Sequence, residues 1–188
     1  MPFSQTTQLS TIVGFAERMG PGSVLDVGTG MGQYGFLLRN SLESLHLFEI
    51  QGNKGWQRNR QEWKVRIDGI EGFEGYLTPV HAYAYTNMTI GDALEILPGI
   101  ASKSYDLVMA IDILEHFDSD DGRRFARECA RIANRAALIS TPKDFIEQHV
   151  EANPLEDHRS VWTQAQLAEL GYTTILPNEE SWIAVYQA

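Results

Sequence analysis

Residues 23–40 read SVLDVGTGMGQYGFLLRN: a short apolar run, a glycine-rich turn, then a stretch with helical spacing. Glycine carries no Cβ and adopts positive φ readily, so a turn of this kind lets the backbone approach a ligand closely. GMGQYG, Gly30 to Gly35, matches the dinucleotide fingerprint G-x-G-x-x-G letter for letter. Its first glycine, however, lies three residues beyond Val27, where the apolar run ends, which is too late for that fingerprint. Asp26 stands just ahead of the turn, and a carboxylate there opposes a pyrophosphate while suiting a cationic ligand. The plainer role for Asp26 is a turn-forming or capping aspartate. Gly35 reads as a point where helix packs closely on strand.

Outward from this turn, strands and helices alternate. Leu9, Ile12, Val13, Ala16 and Met19 repeat at helical spacing within residues 6–19, and GPG stops them. After the turn, Phe36, Leu37, Leu38, Leu42, Leu45 and Phe48 suit one helix reaching Phe48. Residues 50–64 are polar and irregular, an excursion suited to a lid or a contact between two copies. KVRIDGIEGF, NMTIGD, YDLVMAID and AALISTP read as further strands, the last stopped by Pro142. Between them, DSDDGRRFARECARIA has acids at its start and bases beyond, as the helix dipole favours. TQAQ at Thr163 has capping-box spacing, and YTTILP and SWIAVYQA can pair as an antiparallel hairpin. The expectation is a single domain over 1–188: a Rossmann-like α/β fold with a seven-stranded, mostly parallel sheet, a C-terminal antiparallel hairpin and helices on both faces. Its ligands belong at the carboxyl ends of the strands, after Val27, Ile70, Ile90, Ile111 and Ser140.

Composition narrows the partners. The 188 residues carry a formal net charge of −10, which repels nucleic acid overall. The single cysteine, Cys129, excludes a disulfide framework, fits a reducing cytoplasm, and falls on the apolar face of its helix as a small hydrophobe. The first residues lack a signal-peptide pattern, and no apolar stretch approaches the ~20 residues of a membrane span.

VLDVGTGMG, GIE, GDA, YDLVMAIDILEHF, ALISTP and the closing hairpin, in that order, resemble the class I S-adenosylmethionine-dependent methyltransferases over roughly residues 9–188. The resemblance implies methyl transfer from S-adenosylmethionine to a small acceptor, yielding S-adenosylhomocysteine. It places Asp26, Gly28, Thr29 and Gly30 at the methionine end, Asp92 and Ala93 at adenine, and Asp112 beside the methionine and acceptor. An acid at the end of the second strand takes the ribose. Glu49 has the usual spacing, nineteen residues after Gly30, but falls within the helical stripe; Glu71 ends a better strand and is preferred. His116 is the candidate proton acceptor. Residues 143–162, with His149, His158 and Trp162, form the expected acceptor-side loop. No contiguous metal-ligand pattern occurs there, so no metal is assigned. A non-catalytic binder of the same nucleoside, or an NAD-dependent oxidoreductase, remain as alternatives.

Overall fold

Long apolar runs become buried strands. The computed structural model describes residues 5–44 and 46–188. Its strands are β1 (Ser23–Val27), β2 (Phe48–Gln51), β3 (Lys54–Gln57), β4 (Arg66–Glu71), β5 (Asn87–Ile90), β6 (Tyr105–Ile111), β7 (Ala133–Pro142), β8 (Thr174–Leu176) and β9 (Ser181–Gln187). The α-helices are α1 (Leu9–Met19), α2 (Gln33–Leu42), α3 (Pro79–Ala84), α4 (Ala93–Ile96), α5 (Ser119–Ile132) and α6 (Gln164–Glu169). Seven strands form one sheet in the order β5-β4-β1-β6-β7-β9-β8. The first five are mutually parallel, and β9 runs antiparallel between β7 and β8. From β1 the chain builds outward to β4 and β5, then returns to β6 on the other side of β1. That reversal opens a crevice above the carboxyl ends of β1 and β6.

Both sheet faces are covered, which is why β6 reads as an unbroken apolar run. Leu107 and Met109 pack with Ile12, Ala16 and Leu38 from α1 and α2. Val108 and Ala110 pack with Phe125, Cys129 and Ile132 from α5 and Leu167 from α6. Each large apolar side chain so buried stabilises by roughly 1.5–3 kcal/mol. Asp118 caps α5, its Oδ1 accepting from the N–H groups of Asp120 and Asp121 at 3.1 and 3.0 Å. Thr163 caps α6 with the reciprocal bonds its spacing predicts. Among the described residues no helix is long and apolar enough to cross a membrane.

The helix after the glycine turn is shorter than its apolar stripe suggests. It ends at Leu42, Leu45 lies outside the described residues, and Phe48 opens β2. The cause is a buried ion pair. Arg39 and Glu43, 1% and 0% exposed, lie 3.4 Å apart. Arg39 donates to the carbonyls of Ala84 (2.9 Å) and Val65 (2.6 Å), while Glu43 Oε1 accepts the Val65 N–H. These bonds fasten the end of α2 to the entrance of β4, so the intervening chain loops outward. There β2 and β3 pair antiparallel as a separate hairpin, structured where an irregular excursion is expected. Glu49 sits on that hairpin, opposite Trp56 and away from the crevice.

Gly35 does approach a neighbour closely, but the neighbour is Tyr85, just after α3, rather than a strand. A Cβ at Gly35 would fall 2.2 Å from Tyr85 Cζ. Gly35→Ala is therefore expected to destabilise the fold by about 1–3 kcal/mol in urea unfolding. An unchanged midpoint would show that close packing is not what this glycine serves.

Candidate active site

A cavity of about 360 Å³ opens above the carboxyl ends of β1, β4 and β6. Gly28, Thr29, Gly30, Glu71, Asp92, Ala93, Asp112 and His116 all line it. Of the residues the resemblance assigns to the cofactor, Asp26 is the one outside the wall.

The glycine turn is held from within. The N–H groups of Gly28 and Thr29 donate to the Ile70 carbonyl at 2.8 and 3.2 Å, and Gly32 N–H donates to Thr29 O at 2.9 Å. Gly30 N–H donates to Glu71 Oε2 at 2.8 Å. Gly28 has φ 76°, and a Cβ there would strike Ile113 Cδ1 at 2.1 Å, so a side chain is excluded on both counts. Glu71 also accepts from Thr29 Oγ1 (3.3 Å) and Phe73 N–H (3.0 Å). Burial raises its pKa, while these donors favour the charged form.

His81, which the sequence reading passes over, supports this clamp. Its Nδ1 accepts from Thr78 N–H at 3.0 Å, so the neutral ring carries its proton on Nε2. Nε2 then donates to Thr29 Oγ1 at 3.2 Å, and Thr29 donates on to Glu71. The imidazole is 3% exposed. The only sequence signal was the T-P-V-H spacing, which makes a capping box at the start of α3.

Asp112 ends β6 with φ 52°, a left-handed conformation uncommon outside glycine and a mark of local strain. Its N–H meets Ser140 O at 3.1 Å, and Oδ1 accepts from Ser140 Oγ at 2.8 Å. Oδ2 accepts from Gln8 Nε2 at 2.5 Å, which brings the N-terminal segment over the crevice and Gln5 into its wall. Asp92 caps α4, accepting from Leu94 N–H at 2.8 Å, while facing the cavity. Asp92 thus both caps a helix and takes a place in the wall.

At the other end stand Glu115 and His116 with the loop over residues 143–162. His149 pairs with Asp157 at 3.0 Å in an exposed position, and Trp162 is core rather than pocket. His158 instead reaches His116, with ring centroids 5.0 Å apart. Burial lowers the His116 pKa and pushes that of Glu115 well up. Pro142 lines the cavity; Thr141 is buried beside Glu115.

Residues 25–141 match the family described as "Methyltransferase domain", and the chain belongs to that family. Its fold is similar to that of the N-terminal domain of EvdMO1 in the presence of SAH and D-fucose (TM-score 0.64, 17% identity, covering 98% of this chain and 84% of that one). It is also similar to the PH0226 protein from Pyrococcus horikoshii OT3 (0.62, 16%, 96% and 87%). A third likeness is to magnesium protoporphyrin IX methyltransferase from Synechocystis PCC 6803 with bound SAH (0.57, 15%, 95% and 80%). No curated protein matches the chain in sequence.

Asp26 points beneath the turn, 2% exposed, and accepts from Tyr85 Oη at 2.6 Å. Burial first, with Glu71 adding repulsion and Tyr85 opposing both, raises its pKa to about 7. Because the folded value is raised, the stability Asp26 contributes is full below the unfolded pKa and lost as pH climbs through the folded one. The stability of the native chain relative to Asp26→Asn is expected to fall between pH ~4 and ~7, by up to about 1.4 kcal/mol per unit. Parallel denaturation midpoints of the two proteins across that range would refute the assignment.

Proposed function

We propose that the chain transfers a methyl group from S-adenosylmethionine to a polar small-molecule acceptor. One observation carries this reading: the turn that would cradle a diphosphate has already committed its N–H groups. Gly28, Thr29 and Gly30 donate to Ile70 O and Glu71, not outward. A pyrophosphate would find few donors there and a wall of carboxylates, Glu71, Asp92, Asp112, Asp118, Asp121 and Glu156, against one guanidinium, Arg159. A nucleoside with a cationic sulfur and an ammonium fits that wall, as P-free ligands of positive charge should.

Glu71 would take the ribose. Its Oε1 accepts from Phe73 N–H and, as a carboxylate oxygen, has room for a hydroxyl as well. Asp92 and Ala93 would meet adenine, and Asp112 with the glycine turn the methionine end. When bound, S-adenosylmethionine supplies an electrophilic methyl carbon on positively charged sulfur. The protein's own work is then to align an acceptor and exclude water. Gln5 and Gln8 cover the crevice from one side, and residues 143–162 line it from the other. His116, in the cavity wall at the acceptor end, is the candidate to receive a proton.

Calorimetric titration with S-adenosylmethionine, S-adenosylhomocysteine and NAD tests the donor, and S-adenosylhomocysteine release across acceptors tests turnover. Glu71→Ala should weaken nucleoside binding by about 1–3 kcal/mol, the loss of a charged hydrogen-bond partner. Glu49→Ala, on the outer hairpin, should leave it unchanged. Binding of NAD alone would overturn the proposal, and tight nucleoside binding without turnover on any acceptor would mark a binding protein instead.

A further inference from the structure

We infer that Glu115, His116 and His158 form a binding site for one divalent transition-metal ion at the acceptor end of the cavity. A carboxylate oxygen and one ring nitrogen from each histidine lie within 4.8 Å of one another. A cation bound tetrahedrally at ~2.1 Å from each would draw those atoms to about 3.4 Å apart, a closure of at most about 1.4 Å.

Two further features point to a ligand. Glu115 is 3% exposed and lines the cavity; its Oε2 is buried without a well-formed hydrogen bond, the Thr141 hydroxyl being the side-chain donor beside the carboxyl. A carboxylate desolvated in this way is costly unless a cation or donor meets it. Both histidines are also oriented by main-chain carbonyls. His116 Nδ1 lies 3.3 Å from Asp157 O, and His158 Nδ1 lies 2.6 Å from Ile146 O. A carbonyl only accepts, so each Nδ1 is the donor, which leaves Nε2 as the ring nitrogen free to ligate an ion. Metal-ligating histidines are held in this way, with the far ring nitrogen donating to a carbonyl or carboxylate.

The backbone makes the meeting of these distant residues obligatory. Arg159 and Ser160 both donate N–H to the carbonyl of Glu115, at 2.8 and 3.1 Å, which lays His158 alongside His116. His158 N–H donates to Gln148 O at 3.1 Å, fixing the other side of the loop. One carboxylate with two imidazoles suits zinc, manganese, iron or cobalt better than calcium or magnesium, which prefer all-oxygen shells. Three protein ligands leave coordination positions open toward the cavity, for water or for acceptor oxygens. The site involves none of the residues assigned to the donor nucleoside except by adjacency, so it stands or falls separately from that assignment; with an ion bound, His116 acts as a ligand and not as a proton acceptor.

The test uses the untagged full chain, stripped with a chelator and titrated with Co²⁺, with bound cobalt followed by visible absorption and elemental mass spectrometry. The wild type and His149→Ala, which removes an exposed histidine of the same loop, should each bind one equivalent. Glu115→Gln and His158→Ala should bind at least about tenfold more weakly. Their affinity for S-adenosylhomocysteine should stay within about twofold of wild type, which separates loss of the metal from loss of the fold. Cobalt binding equal in wild type and both variants, or abolished by His149→Ala, would overturn the inference. So would a wild type that takes up no cobalt.

Discussion

The site depends on one carboxylate placed where a loop needs it. Glu71 ends β4 and accepts from Gly30 N–H, Thr29 Oγ1 and Phe73 N–H, so it joins the glycine turn after β1 to the turn after β4. Charge-assisted bonds of this kind are about twice as strong as neutral ones. Glu71 also sets the chemistry of the crevice. By consuming the Gly30 N–H it removes a donor that an anion would need, and it supplies negative charge in its place. Structure and ligand preference thus come from the same atoms. His81 extends the arrangement, because its tautomer is dictated by Thr78 and dictates in turn that Thr29 donates toward Glu71.

Most of the sheet was legible from the sequence, since strands buried on both faces write themselves as continuous apolar runs. β1, β4, β6 and β7 stand where SVLDV, KVRIDGIEGF, YDLVMAID and AALISTP place them, and the closing hairpin pairs in the expected sense. The end of α2 was not legible. Leu42, Leu45 and Phe48 extend a helical stripe, but a tertiary bond decides the boundary: Arg39 and Glu43 are sequestered against Val65, distant in sequence. Periodicity does not register such a partner. The same bond explains why conventional spacing favoured Glu49 while the fold puts Glu71 at the crevice, the excursion between them being a hairpin projecting away.

The polar residues divide along similar lines. Those that follow a strand gather at one edge, as strand ends in a parallel sheet do. Gly28, Thr29, Gly30, Glu71, Asp92, Ala93, Asp112 and His116, named through the resemblance together with their place after strands, all line the cavity. Asp26 belongs to the strand itself, and alternation along β1 turns its side chain to the α2 and α3 face, where Tyr85 meets it. Residues from helices and loops, such as Gln8, His81 and His158, needed tertiary information. Nothing local marks Gln8 as a partner of Asp112 or His158 as a neighbour of His116.

The two ends of the cavity differ in how they tolerate buried charge, and that difference bears on what each can hold. At the glycine-turn end Glu71 and Asp112 each accept several hydrogen bonds, so their carboxylates are compensated before any ligand arrives. At the other end Glu115 is buried as deeply, yet its carboxyl has only the Thr141 hydroxyl beside it and no well-formed hydrogen bond at Oε2, and the carbonyl of the same residue is what binds the loop carrying His158. Two main-chain hydrogen bonds thus set an imidazole beside a carboxylate whose burial is only partly offset. The arrangement becomes favourable once a cation enters between them, since its charge then offsets the desolvation that burial imposes on Glu115.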